Sequence, residues 1–248
     1  MSLIRKILII SFFLLPISNS FGAMVTYVQD EAFLHGPGDT GKQSRFLNGI
    51  HFNKDGTKLF TTYNFKPTIG GTAATFQFVH EYNLSTPYDI TTRTYAGDDE
   101  RCELGSGSDG HDENAAHDLE FSNDGMKLFT SDKTGDILFR FDLTSPYDVS
   151  TCTYVYQTTT VDTAPLQNNS QAGDRNSDDD TSKNRLQGFE INEDGTKLFL
   201  LFHDTGASPR LHEYNLSTPF DLRTLSLVLS AGIPLGGSGV ANPNTMRF

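Results

Sequence analysis

The segment Leu119–Tyr154 reads LEFSNDGMKLFTSDKTGDILFRFDLTSPYDVSTCTY. A closely related text precedes it, GIHFNKDGTKLFTTYNF at 49–65 with VHEYNLSTPYDITTRTY at 79–95. Another follows, GFEINEDGTKLFLLFHD at 188–204 with LHEYNLSTPFDLRTLSL at 211–227. Phe52, Phe121 and Ile191 hold one position of this repeat and lie 69 and 70 residues apart. Self-similarity at a fixed period marks a repeat architecture, so the repeat unit decides the fold.

Each unit holds four short runs rich in Phe, Leu, Ile, Val, Tyr and Thr. In the middle unit they are Leu119–Phe121, Lys127–Thr130, Ile137–Phe141 and Cys152–Tyr156. Such residues suit a pleated surface, and no run is long enough or periodic enough for a helix. Asp55-Gly56, Asp124-Gly125 and Asp194-Gly195 separate the first run from the second. Asp-Gly is a hairpin signal, because glycine supplies the positive φ of a tight reversal. The third and fourth runs meet through Ser85-Thr86-Pro87-Tyr88-Asp89 and its counterparts at 144–148 and 217–221. Proline there sets φ for a turn and cannot donate to a ladder.

Four antiparallel strands with tight turns, repeated, predict an all-β chain built as a β-propeller of four-stranded blades. The pattern F-x-x-D-G-x-K-L-F, followed by a strand ending Y-N-L-S-T-P-Y-D, resembles bacterial β-propeller repeats of the WD-repeat-like, TolB-type group. The resemblance covers most of 49–230 and implies the fold. That group includes binding scaffolds, adhesins and some enzymes, so it implies no single activity. The chain has no Trp and therefore lacks the Trp-Asp pair of true WD repeats.

Full blades are expected at about 48–96, 118–157 and 186–230. Partial blade strands are expected at 25–28 and 244–248, giving three full blades plus orphan strands at both ends. Phe248 takes the place of Phe121, so the chain stops where another hairpin should begin. Three blades do not close a ring. The expectation is an incomplete propeller at the C-terminus, or chains that complement one another in an oligomer.

Residues 1–23 read as a signal peptide ahead of a propeller over 24–248. Arg5 and Lys6 precede an apolar run at 7–17, and small residues follow at Ser18, Ser20, Gly22 and Ala23. The expected location is periplasmic or extracellular, with no membrane association after cleavage. Without Arg5 and Lys6 the balance is 17 basic to 31 acidic residues, which disfavours nucleic acid. Cys102 and Cys152 are the only cysteines, and an even count in an exported chain permits a disulfide between them.

Long insertions at 97–117 and 158–185, together with the loops between second and third strands, are expected on one face. Function concentrates on such loops. The first insertion and its end supply the candidate binding residues Asp98, Asp99, Glu100, Asp109, His111, Asp112, Glu113, His117 and Asp118. Hard oxygen ligands among Gly and Ser suit Ca²⁺, with Asp109, Asp112 and Glu113 as the metal candidates. Asp174, Asn176 and Asp178 in the second insertion begin like a calcium loop. Asp179 and Arg185 then stand where that loop needs Gly and Glu. There is no G-x-S-x-G elbow, and Gly236-Gly237-Ser238-Gly239 lacks the Lys of a phosphate loop. His51, His80 and His212 fall on strands, where packing explains them.

With no catalytic residues assigned, the leading expectation is a non-catalytic exported propeller that binds a protein or glycan through its long loops. The alternatives are a metal-dependent, lactonase-like hydrolase and a calcium-stabilised adhesion or structural protein.

Overall fold

The computed structural model describes residues 47–63, 68–69, 72–73, 77–105, 116–132, 137–158, 185–203, 210–228 and 233–234. The signal-peptide segment, both orphan strands and most of the two insertions lie outside these residues. Among the described residues there is no α-helix, and three antiparallel sheets carry the chain as propeller blades.

Blade one runs in the order β1 (Leu47–Phe52), β2 (Lys58–Tyr63), β5 (Phe78–Leu84) and β6 (Arg93–Tyr95). Between β2 and β5 sits a small ribbon of β3 (Thr68–Ile69) and β4 (Thr72–Ala73). Blade two comprises β8 (Ala116–Phe121), β9 (Lys127–Asp132), β10 (Ile137–Asp142) and β11 (Thr153–Gln157). Blade three comprises β12 (Arg185–Ile191), β13 (Lys197–His203), β14 (Arg210–Leu216) and β15 (Leu225–Leu227). The first strands lie innermost, with β8 packed between β1 and β12.

The first insertion is not all loop. Arg101–Glu103 forms β7 and pairs with the first half of β5, while β6 pairs with the second half. Ile233–Pro234 forms β16 and does the same for β14. In blade two the single strand β11 covers both halves of β10 through a register shift. The outer edge of the central long strand is thus covered in every blade, which blunts an exposed ladder.

The Lys-Leu-Phe run is apolar without alternation because each sheet packs on both faces. Successive strand residues point to opposite sides. Leu128 joins the apolar layer between blades one and two, with Phe60, Leu119, Phe121 and Phe141. Phe129 joins the layer between blades two and three, with Phe189, Leu198 and Leu200. A strand buried on both faces reads as a continuous apolar run.

The two turn motifs lock onto each other. Gly56, Gly125 and Gly195 have φ near +70° (72, 71 and 71), as the hairpin requires. The aromatic residue of each Ser-Thr-Pro or Thr-Ser-Pro turn also lies in the left-handed region, Tyr88 at 61°, Tyr147 at 54° and Phe220 at 59°. The amide N–H of each donates to the carbonyl of its glycine at 2.9 Å. Each ring lies where a glycine Cβ would stand. The Tyr88 hydroxyl adds a bond to the Lys54 carbonyl at 2.8 Å, and Tyr147 one to Asn123 at 3.3 Å. Glycine is therefore required twice over, by its φ and by the ring.

Cations then join blade to blade at these turns. The Lys58 ammonium pairs with Glu81 at 2.7 Å and donates to the Tyr147 carbonyl at 2.9 Å. Arg140 pairs with Asp142 and donates to the Phe220 carbonyl at 3.4 Å. Burial pushes the Glu81 carboxyl above its ordinary value, against the pull of Lys58.

Substituting Gly125→Ala should destabilise the protein by at least about 1–2 kcal/mol from the backbone alone. Displacing the Tyr147 ring adds to this. Denaturant unfolding would measure it, and an unchanged midpoint would refute the interlock.

The turn carboxyls set the acid limit. Hydrogen bonds from Thr57, Ser122 and Thr196 hold Asp55, Asp124 and Asp194 below the ordinary carboxyl value. A side-chain bond from Arg223 lowers Asp221 to about 2. Folding thus favours the ionised forms, so their stabilisation is complete above the unfolded value of 3.8 and is lost as pH falls through the lowered values. Melting temperature should fall between about pH 4 and pH 2, with a shallower fall near pH 2 in Asp221→Asn. Thermal scans by circular dichroism across that range provide the check.

Candidate functional site at the inner strands

The inner strands share one irregularity at one level. On β1 the pairing with β2 skips from Leu47 to Gly49. On β8 it skips from Ala116 to Asp118, and on β12 from Leu186 to Gly188. Asn48, His117 and Gln187 are therefore the bulged residues of their strands. A bulge leaves the extra residue outside the ladder and re-aims its side chain, and bulges occur beside active sites more often than elsewhere.

Neighbouring groups fix this level. The Thr62 hydroxyl accepts from the Gly49 amide at 3.1 Å, and the Ser131 hydroxyl accepts from Asp118 at 3.1 Å. The Asn48 side-chain amide crosses to the Ala116 carbonyl at 3.1 Å, and Gln77 Oε1 accepts from the Ala116 amide. A Cβ on Gly49 would come within 3.0 Å of the Asp118 Cα, so glycine permits the close approach of β1 and β8.

Carboxylates stitch β8 to β12. Asp118 Oδ1 accepts from the Leu119 amide at 2.9 Å, and Oδ2 accepts from the Phe189 amide at 3.3 Å. Glu120 Oε2 accepts from the Ile191 amide at 2.9 Å. Asp118 and Glu120 are buried, as are His117 and Gln187. Both Asp118 oxygens thus serve backbone N–H groups, which makes the carboxylate a positioning group. The titratable side chain at the bulge level is the His117 imidazole.

The candidate residues expected from sequence separate into three places. Asp98, Asp99 and Glu100 form the turn between β6 and β7, at the outer edge of blade one. Asp98 accepts from the Tyr95 hydroxyl at 2.9 Å and from Arg101 at 3.2 Å. Burial and then the bond to Asp98 push the Tyr95 hydroxyl above its usual range. His117 and Asp118 lie on the inner strand β8 of the next blade. Asp109, His111, Asp112 and Glu113, and with them the whole metal trio, lie outside the described residues. Among the described residues no group of three or more His, Cys, Asp or Glu side chains is arranged to hold a metal ion.

Sequence reasoning missed Asn48, Gln187 and Glu120. For Asn48 and Gln187 the available signal was the polar residue four places before Phe52, Phe121 and Ile191 in every unit. His80 and His212 are buried strand residues, and each packs beside an aromatic ring, Phe78 and Phe202 respectively.

Cys102 and Cys152 form a disulfide between blades one and two. Cys102 is not in a loop but on β7, paired opposite Val79. Cys152 directly precedes β11. The bridge ties the start of the first insertion to the outer edge of blade two. Closing a loop of sequence separation 50 removes chain entropy worth about 4 kcal/mol. Reduction, or Cys102→Ala with Cys152→Ala, should lower stability by up to about that amount. Equal denaturant midpoints for oxidised and reduced protein would contradict this.

No family model matches the sequence, and no curated protein matches it. Many solved structures resemble it. The periplasmic gluconolactonase PpgL of Pseudomonas aeruginosa is 16% identical, with 74% of this chain and 40% of that one covered and a TM-score of 0.43. A putative 6-phosphogluconolactonase of Bacteroides fragilis is 12% identical, with 79% and 45% covered and a TM-score of 0.43. The β-propeller domain of Cps50 (Swd1) from Myceliophteria thermophila is 10% identical, with 74% and 42% covered and a TM-score of 0.40. The chain spans less than half the length of these structures. The leading expectation of a non-catalytic propeller binding a protein or glycan is corrected here. Lactonase-named propellers stand among the similar structures, and the buried imidazole lies at an inner-strand bulge.

Proposed function

We propose that this chain supplies three blades of an exported, lactonase-like hydrolase of the WD-repeat-like, TolB-type propeller group. The observation that carries the reading is the bulge level of the inner strands, where Asn48, His117 and Gln187 stand in register. Two carboxamides flanking an imidazole offer N–H donors for the hydroxyls and carbonyl of a sugar lactone, and a base for water. Lactones are the first class to test, being named for several of the similar structures. An exported location accords with the basic and apolar N-terminal segment and with the cysteine pair.

In this reading His117 takes a proton from water as the water oxygen bonds to the lactone carbonyl carbon. The ring ester C–O bond then breaks, and the departing alkoxide takes the proton back from the imidazolium. Asp118 holds β8 against β12 and so fixes the imidazole beside it. Calcium, the cation that the sequence suggests for Asp109, Asp112 and Glu113, would supply Lewis-acid chemistry if the chain binds it.

Hydrolysis of glucono-δ-lactone and of its 6-phosphate, followed by acid release with and without Ca²⁺, tests the proposal. The wild-type chain should turn over at least one of the two. His117→Gln should lose roughly 100-fold or more in kcat with its melting temperature retained. Absence of turnover under both metal conditions, or full activity in His117→Gln, would overturn the reading.

A further inference from the structure

The chain between Leu104 and Ala116 is anchored at both ends by one residue. Gln77 lies just before β5 and is 1% exposed. Its backbone carbonyl accepts from the Leu104 amide at 2.8 Å, where the chain leaves β7. Its side-chain Oε1 accepts from the Ala116 amide at 2.5 Å, where the chain enters β8. Leu104 and Ala116 are buried in one apolar layer with Val79 and Leu119. A carboxamide beside such a layer is costly unless hydrogen-bonded, so the bond to Ala116 fixes its direction.

Further constraints meet there. The disulfide of Cys102 and Cys152 holds β7 to blade two, only two residues before Leu104. The Asn48 side-chain amide donates to the Ala116 carbonyl at 3.1 Å, so side chains of blade one hold both backbone groups of Ala116. His117 comes next in the chain. Beyond it the Asp118 amide donates to the Ser131 hydroxyl at 3.1 Å, and the Asp118 carboxylate accepts from the Phe189 amide at 3.3 Å. The bulge is pinned on either side, and the pin before His117 runs through Gln77 to the disulfide.

Gln77 stands outside the repeat. Strand pairing aligns His80 of blade one with Phe139 and His212 of the others. Three residues earlier stand Gln77, Asp136 and Pro209. The two cysteines likewise have no counterparts. Features that only build a blade recur in each blade, as the Asp-Gly turns do. Gln77 and the disulfide occur once, beside the one inner strand with an imidazole at its bulge.

We propose that Gln77 is a positioning residue for the His117 imidazole, and that it carries the constraint of the disulfide to that ring. The effect on turnover rests on the hydrolase reading, whereas the effect on the ring rests on the contacts alone. Gln77 acts through the backbone before His117. Misplacing a reacting group by about 1 Å costs roughly 100-fold in rate.

Gln77→Met in the full chain tests this, because it keeps the length of the side chain and removes the acceptor. Lactone hydrolysis should lose roughly tenfold or more in kcat with KM retained. Proton NMR well below the melting temperature gives the second readout. The His117 ring signals, assigned by their loss in His117→Gln, should shift, while those of His212 in blade three should stay. Cys102→Ala with Cys152→Ala should move the same His117 signals. In the Gln77→Met background these cysteine substitutions should move them no further, because their effect passes through Gln77. Should Gln77→Met not fold, Gln77→Asn, which draws the carboxamide back by one methylene, carries the same readouts. Unchanged His117 signals in the Gln77 variant overturn the proposal, as do cysteine substitutions that move them equally with and without Gln77. A wild type that turns over neither lactone, with ring signals that respond as expected, ends the hydrolase reading and supports the positioning. Turnover by the wild type with kcat retained in Gln77→Met overturns the positioning and leaves the hydrolase reading standing.

Discussion

The left-handed aromatic residue of each Ser-Thr-Pro or Thr-Ser-Pro turn is the constraint on which the blades depend. Tyr88, Tyr147 and Phe220 sit in a region that bulky residues rarely occupy. They are held there because the amide finds the glycine carbonyl and the ring covers the glycine. That contact ties the hairpin of the first two strands to the connection leading to the fourth, so one turn sets the register of the whole blade. Strain of this kind persists only where the surroundings over-determine it. The surroundings here include the preceding blade, whose cation takes the carbonyl of the same residue at Tyr147 and Phe220. Blade closure and blade stacking thus meet at one residue.

At the inner strands the constraints loosen in a controlled way. Away from the turns, each first strand gains one residue relative to its partner. The ladder resumes immediately, with hydroxyls of Thr62 and Ser131 taking the displaced amides in blades one and two. A bulge of this sort costs little, since the freed N–H groups are satisfied. It also lets the bulged residue differ between blades without changing the sheet. Asn48, His117 and Gln187 differ while the turns stay nearly invariant.

The repeat made the blades legible in the sequence because its signals are local. Asp-Gly, Ser-Thr-Pro-Tyr-Asp and runs such as Lys-Leu-Phe each act within a few residues. The split outer strands were not legible. Arg101–Glu103 and Ile233–Pro234 are short segments whose pairing depends on β5 and β14 having an uncovered half, a fact no local pattern carries. The candidate site was legible only in part, for a related reason. His117 and Asp118 stood out through an acidic neighbourhood that continues into residues outside the described structure. The level that groups His117 with Asn48 and Gln187 comes from strand pairing across three blades. Asp98 stood out for the same acidity, yet it bonds Tyr95 and Arg101 at the outer edge of blade one.

The distribution of polar burial separates structure from chemistry further. Asp118 and Glu120 are buried carboxylates, a combination that is costly unless each charge is hydrogen-bonded. Their partners are amides of the next inner strand, which no sheet neighbour of that strand serves on its open edge. The carboxylates therefore replace the ladder that a closed sheet would supply. An aliphatic residue at either place would leave inner-edge amides of blade three without these acceptors and would open the seam beside the bulge. The imidazole of His117 stands one residue from that stitch, on a backbone whose position two blades determine. The base role proposed for this imidazole requires that it be held to within a fraction of an ångström. The stitched inner edge provides that rigidity for the bulge level, while a turn on the outer rim, such as the one bearing Asp98, has support from its own blade.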